Sequence, residues 1–473
     1  MVKSGLAIGL LGFLGGCAAV GPDYHVPDVA LVQAPSAQDN FISATEVTSA
    51  EPLPDHWWKL YNDPVLDALV IQALEANTEL RVAEANLERA AALLDARGAG
   101  RELQGTLNAE TSYAQRSAEA ELQHVQPPLR QAYNVGIAVS YDLDLFGGLR
   151  RGIEAAAADT EAATAARDLV RVNVAAETTR AYADLCNSGF QIEVLARSIA
   201  LQEKGIRLTG TLIKHGRAAS YELDRRRGLF ASSQARLPRL TAQHRNALFR
   251  IAALQGRTPR EADETLLACQ RPLELTRAVP VGNGQTLLRR RPDIRRSERQ
   301  LAASTARIGV ETAALYPDIR LGASAGSTGA TDDLLSPLTN RFGIGPLISW
   351  SVNRHAARAR IEAAQAQTRA DLANFDGTVV RALREVESAL TSYAAGIEQQ
   401  ESLDRAREDA ALVSRRTAQL RRGGKIAELP ALEAERDLVA AEQAAAAGKA
   451  AMNDDQITLF LALGGGWTPS SES

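Results

Sequence analysis

The 473-residue sequence is short of several things, and each shortage removes a class of protein. Beyond residue 17 no unbroken apolar run approaches the roughly 18 residues that a transmembrane helix requires, so any segment that crosses a bilayer must do so as strands. Aromatic residues supply only 5% of the chain, and the 45% hydrophobic share suits helices packed through small side chains. Basic residues (53) do not outnumber acidic ones (57), and no basic stripe is interleaved with aromatics, which argues against a nucleic-acid partner. The six histidines are scattered, with no H-E-x-x-H and no C-x-x-C, so neither a metal site nor a cofactor is expected. Gly322-Ala323-Ser324-Ala325-Gly326 matches the G-x-S-x-G nucleophile pattern, but that motif needs a strand, a tight turn and an immediate helix. A loop-like run, 327–333, follows instead, and only His355 is left downstream as a base. Catalytic residues are therefore expected to be absent, and the chain is not expected to be an enzyme.

Cysteine is also scarce, with three in all. Met1-Val2-Lys3-Ser4 is a basic start, and residues 5–14 are apolar but too short to span a bilayer. Leu14-Gly15-Gly16-Cys17 then places small residues before a cysteine, the arrangement of bacterial lipoprotein signal peptides. The expectation is a signal peptide over 1–16 and a lipid on Cys17; an ordinary signal peptide with an incidental cysteine is the alternative. Ala18, rather than an aspartate, favours the outer membrane. In an oxidising periplasm Cys186 and Cys269 can pair as a disulfide, with two unpaired buried thiols as the alternative.

What the chain does have, it has twice. Ile153-Glu154-Ala155-Ala156 and Ile361-Glu362-Ala363-Ala364 lie 208 residues apart (361 − 153), as do Gly216 and Gly424 (424 − 216). Each copy pairs two alternating strands with a long Ala-rich helix that turns back on itself. From 134 to 145, Val135, Ile137, Val139, Tyr141, Leu143 and Leu145 alternate with polar or small residues. In the later copy Phe342, Ile344, Ile348, Trp350 and Val352 alternate with Gly343, Gly345, Ser349 and Ser351. Weaker partner strands read over 106–115 and 320–327. A polar lumen with an apolar exterior is how porin strands read, which makes Asn134, Ser140, Asp142, Asp144, Ser349 and Ser351 candidates for a lumen-facing surface. Four strands cannot close a barrel, and lipid does not tolerate an open sheet edge, so several chains must cooperate.

From 147 to about 215 the sequence reads as one helix without proline, about 100 Å at 1.5 Å per residue. Leu169, Val172, Ala176, Thr179, Ala183, Cys186 and Phe190 form a heptad seam, answered by Ala431, Ala434, Leu438, Ala441, Ala445, Gly448 and Met452. The predicted plan is a signal peptide (1–16), a lipidated, proline-rich extended arm (17–62), a first repeat (63–257), a belt (258–285), a second repeat (286–463) and a tail (464–473). A single rising helix is expected over 286–315. The fold class is mainly α, with long antiparallel coiled-coil hairpins and four strands per chain.

These pieces resemble the TolC-like outer-membrane factors, specifically the NodT-type lipoprotein branch, over nearly the whole length. The resemblance rests on Gly21-Pro22-Asp23-Tyr24, Trp57-Trp58 with Asp63-Pro64, and Asp142-Leu143-Asp144-Leu145-Phe146-Gly147-Gly148. Two later runs add to it, Leu287-Leu288-Arg289-Arg290-Arg291-Pro292-Asp293-Ile294-Arg295 and Leu463-Gly464-Gly465-Gly466-Trp467. Leu103 stands where the family usually has a proline, and Asn353-Arg354-His355-Ala356 stand where it tends to have an aromatic, an acid and two glycines. The resemblance implies a homotrimer with a twelve-stranded outer-membrane barrel and a periplasmic helical tunnel. It further implies an exit duct for an inner-membrane pump of the RND type, reached through a periplasmic adaptor. A duct for type I protein secretion and a non-conducting structural lipoprotein are the alternatives. The hairpin turns would dock the adaptor, at Gly216, Arg217, Ala219, Ser220 and Glu222 and at Gly424, Lys425, Ala427 and Glu428, with Ser220 or Glu428 helping to start the return helix. Their flanks are basic: Lys214, Arg217, Arg225, Arg226 and Arg227 against Glu222 and Asp224, and Arg415, Arg416, Arg421, Arg422 and Lys425 against Glu428.

Overall fold

The computed structural model describes residues 19–465 except 45–47, 116, 120–123, 127, 276 and 335. The signal-peptide reading, Cys17 and Ala18, and residues 466–473 of the tail lie outside the described residues. The main strands are β1 (Gln104–Ala114), β2 (Arg130–Asp142), β3 (Asp318–Ala330) and β4 (Asn340–Ser349). In the first half the helices are α1 (Pro64–Ala76), α2 (Thr78–Gly98), α3 (Gly148–Lys214) and α4 (Ser220–Leu254). The second half adds α5 (Gly284–Arg290), α6 (Pro292–Ala313), α7 (Arg354–Arg422) and α8 (Glu428–Ala462). The chain divides into two compact units.

The unit formed by Met1–Pro27, Asn86–Ala163 and Arg296–Phe375 holds the sheet, an antiparallel run in the order β1-β2-β3-β4. Its register places Val139 opposite Ala323 and Ala323 opposite Ile344, so the apolar residues of successive strands share one face. The other face takes Asn134 opposite Thr328, Asp142 opposite Arg320 and Gly326 opposite Arg341. The strands differ from the predicted spans at their ends. β2 stops at Asp142 and β4 at Ser349, so Asp144 and Ser351 are not on strands. Asp144 instead secures the start of a helix. With its backbone at φ +42°, its carboxylate accepts the N–H groups of Leu149 (2.8 Å) and Arg150 (2.9 Å), the first free donors of α3.

In the same unit the start of the arm is bound rather than loose. Val20 N–H donates to Phe146 O (3.1 Å), and the Arg151 guanidinium donates to Val20 O, Gly21 O and Asp23. Gly21 is required here, since a methyl at that position would stand 2.4 Å from Gly309 Cα.

The second unit comprises Asp28–Ala85, Thr164–Arg295 and Asp376–Ser473 and holds the larger core. Trp57 stacks on Phe460 (4.5 Å between centroids) above Leu66, Val70, Leu185, Leu390 and Ile457, all buried. Ala175, Ala176, Ala181 and Ala183 give α3 the small surface that close helix packing needs. The arm continues as a strap in this unit: the carboxylate of Glu387 accepts N–H bonds from Ile42 (2.8 Å) and Ser43 (2.9 Å). Thr48–Ser49 then pairs in parallel with Val279–Pro280. The belt carries two 3-10 turns, and a disulfide joins its Cys269 to Cys186 of α3. Gly189 makes room for this approach, because a Cβ there would fall 2.2 Å from Cys269 O.

Helix starts follow local chemistry. Asp63 caps α1 by accepting from Val65 N (2.9 Å) and Leu66 N (3.2 Å), with Pro64 in the first position. The single helix expected over 286–315 is broken in two. Arg291 is extended (ψ 121°) because the ring of Pro292 disfavours helical backbone in the residue before it.

Candidate functional site

The two hairpin turns are built alike. α3 ends with Gly216 at φ +68°, Gly216 N–H reaching Ile213 O (2.9 Å) and Arg217 N–H reaching Leu212 O (2.8 Å). α7 ends with Gly424 at φ +67°, with Gly424 N–H on Arg421 O (3.0 Å) and Lys425 N–H on Leu420 O (2.9 Å). Both are Schellman endings, in which the left-handed residue satisfies carbonyls that the helix leaves free. The return helices begin after Ala219 and Ala427, and neither receives a side-chain cap. Of the expectation that Ser220 or Glu428 helps start the return helix, the capping part is corrected, since each is already the first helical residue and no side chain bonds the free N–H groups. Glu428 does place an acid in the first turn, where the helix dipole favours it.

Glu428 serves as a clasp. Its Oε1 accepts from Arg421 Nη1 (2.8 Å) and Lys204 Nζ (3.1 Å), tying α8 to both α7 and α3. The hydrogen bond from Lys204, with the Arg421 charge nearby, holds the Glu428 carboxyl below the usual glutamate range. Arg226 pairs with Glu433 (3.1 Å), Arg225 with Glu222 (2.9 Å) and Arg227 with Asp224 (3.8 Å). Four of the ten cations counted along the flanks are thus already paired. Lys214, Arg217, Arg415, Arg416, Arg422 and Lys425 form no ion pair among the described residues, and they are the cations the tips offer outward. Gly216, Arg217, Ala219, Ser220 and Glu222 all fall on the first turn or its return helix, and Gly424, Lys425, Ala427 and Glu428 on the second.

On the sheet, the polar face gathers Asn134, Ser140, Asp142 and Ser349. Sequence reasoning found Asp142 on this face but missed its basic members. Arg320 lies 2.8 Å from Asp318 and 3.8 Å from Asp142, and Arg341 donates to Asn134 Oδ1 (2.9 Å). Parity along each strand could have found them had the register been known. The opposite face is bare: Phe342 is 92% exposed, Ile344 79% and Leu107 74%. Near the helical end of the sheet Phe146 stacks on Tyr316 (4.5 Å), and Trp350 Nε1 donates to Leu315 O (3.1 Å).

Where the return helices end, each finds a polar side chain. Asn77 Nδ2 donates to Leu254 O (2.9 Å) at the end of α4, while its Oδ1 accepts from Glu79 N and Leu80 N at the start of α2. Arg291 Nη1 donates to Ala462 O (2.8 Å) at the end of α8 and is held by Asp293 (2.8 Å) and Glu385 (2.9 Å). Burial pulls the guanidinium pKa down, but its hydrogen bonds to Asp293 and Glu385 leave it raised overall.

A family model described as outer membrane efflux protein matches residues 69–257 and 283–465. The chain is 28% identical over 482 residues to the probable efflux pump outer membrane protein TtgC of Pseudomonas putida, covering 99% of this chain and 96% of the relative. It is 26% identical over 471 residues to the probable outer membrane lipoprotein SilC of Salmonella typhimurium, covering 98% of each. Among solved structures it is similar to the outer-membrane channel OprN, with a TM-score of 0.85, 33% identity, and coverage of 96% of this chain and 100% of that one.

Proposed function

The chain belongs to the outer membrane efflux protein family and is an outer-membrane efflux channel; from that premise we propose that three copies form the passive exit duct of a tripartite efflux system. The observation that carries this reading is the sheet. It is open, its β1 and β4 edges are unpaired within the sheet, one face is apolar and exposed, and the other is polar. Lipid does not accept free strand edges, so the sheet must close against copies of itself, with the apolar face outward and the polar face lining a bore. Three copies of a four-stranded sheet give a twelve-stranded barrel, within the range of known outer-membrane barrels. Phe146, Tyr316 and Trp350 suit the interfacial aromatic girdle of such a barrel.

The long hairpins carry the duct into the periplasm, and the tips meet an adaptor that connects to an inner-membrane pump of the RND type. Energy comes from that pump, and no step of catalysis is assigned to this chain. The unpaired tip cations favour an acidic adaptor surface. The double variant Arg422→Glu with Lys425→Glu should lower adaptor capture, and high salt should lower it for the natural protein. Equal capture throughout would remove the electrostatic part of the docking.

Lipid on Cys17 fits the same geometry. Ala19 packs against Gly147, where an added methyl would stand 2.4 Å from Ala19 Cβ, beside the Phe146–Tyr316 stack. Labelling with a radioactive fatty acid should mark the natural protein and not Cys17→Ala. The duct itself is tested by single-channel recording in planar bilayers. Discrete conducting steps are expected, and a purified, inserted trimer that never conducts would favour the structural-lipoprotein reading.

A further inference from the structure

The polar face of the sheet holds two guanidiniums in different ways. Arg320 sits between two carboxylates, Asp318 at 2.8 Å and Asp142 at 3.8 Å, and its charge is spent locally. Arg341 has no carboxylate partner among the described residues and rests on the neutral Oδ1 of Asn134 (2.9 Å). It lies near the end of the sheet that carries the hairpin loops. In register, Arg341 stands opposite Gly326, and Gly326 stands opposite Gly136, so the two strands beside it present no side chain. A methyl at Gly136 would come to 3.2 Å from Arg341 Nη2, and one at Gly326 to 3.4 Å. The glycines therefore leave a trough in which the guanidinium lies flat along the wall.

We propose that Arg341 is a specificity-determining residue of the duct: a fixed cation, with no ion pair among the described residues, that favours multivalent anionic groups at the loop end of the bore, although Glu110, opposite Asn134, places an acid on the same face. The inference rests on the reading of the chain as a trimeric duct, in which three copies place three guanidiniums around one lumen. A guanidinium is always charged and offers planar paired donors suited to carboxylate and phosphate. Between low-dielectric walls such a ring concentrates counter-ions, as charged rings do in other pores.

The test is block of single channels by inorganic tripolyphosphate, added to the compartment facing the hairpin loops at low ionic strength, where screening is weak. The natural protein should be blocked. Arg341→Gln should weaken that block on the order of tenfold while the channel still conducts, and Arg341→Lys should restore most of it. Asn134→Asp supplies the missing carboxylate next to Arg341 and should weaken block as well, giving a second reading should Arg341→Gln fail to insert. No block of the natural channel, or equal block in these variants, overturns the proposal. Absence of any conductance rejects the duct reading, and the proposal falls with it; conducting channels with unchanged block reject the proposal alone.

Discussion

In the first repeat the return helix ends at Leu254 and in the second at Ala462, and the two ends lie 208 residues apart (462 − 254). The same offset separates Lys214 from Arg422 and Ser220 from Glu428, so the second hairpin copies the turn and the return helix of the first, while the long helices start 206 residues apart (354 − 148). The side chains that secure those boundaries differ. At the first helix end a neutral amide, Asn77, bridges two helix termini; at the second a buried cation, Arg291, takes that place together with two carboxylates. Duplication has kept the geometry and let the chemistry diverge, because a free helix carbonyl requires only some donor. The turns repeat the lesson: the second carries the Glu428 clasp, while Ser220 at the matching position has no ionic group to offer. The belt bond is also one-sided, since the position matching Cys186 is Ala394 (394 − 186 = 208).

The largest effect expected from breaking this asymmetry is loss of the disulfide. It closes a separation of 83 residues, for which the chain-entropy model gives about 4–5 kcal/mol. Replacing Cys186 and Cys269 by alanine and serine should lower the denaturation midpoint. Hydrogen exchange should quicken in α3 and α4 and stay unchanged in α7 and α8; uniform change in both repeats would show that the bond secures the whole molecule.

Next come the two helix ends. Arg291→Met removes the donor to Ala462 O and the cation shared by Asp293 and Glu385; both carboxylates reach solvent, so the expected cost is about 2–3 kcal/mol, the upper part of the range for charged hydrogen bonds. Asn77→Ala removes neutral caps and should cost about 1–2 kcal/mol. Denaturant unfolding of each variant measures both, and equal costs would undo the contrast between the charged and the neutral solution.

The smallest effect belongs to the tips. Glu428→Gln removes an exposed clasp, for which about 0.2–1 kcal/mol is the usual range. Its carboxyl is held below the ordinary glutamate value, so the clasp contributes fully above that value and is lost as pH falls through the lowered one. Tip-local hydrogen exchange of the natural protein and the variant should therefore differ at neutral pH and converge in acid, below the lowered value. A difference that persists in acid would mean that Glu428 acts through packing. Ser220→Gln should change nothing at either pH.

Much of this was legible in the chain. Period-two alternation located the strands, an unbroken proline-free run located α3, the 208-residue repeat located its counterpart α7, and the glycine pair located both turns. The break at Pro292 was legible too, although the apolar pattern around it read through as one helix. Asp144 misled for a physical reason: Leu143 and Leu145 continue the strand alternation, while the carboxylate is drawn to the free N–H groups of the helix that begins just beyond. Ser220 missed its cap by one residue, a shift that hydrophobic periodicity does not resolve.

By itself the sequence determined everything that depends on neighbours along the chain, namely where helices and strands form, where they turn, and that the plan occurs twice. Only the tertiary structure decided which charges are spent and which remain free. Lys204 meets Glu428, Arg291 meets Glu385 and Ala462, and Arg341 lies over Gly136 and Gly326 because of packing and strand register. Those partners are far apart in sequence, and a one-residue slip of register would have turned each strand's polar residues to the opposite face.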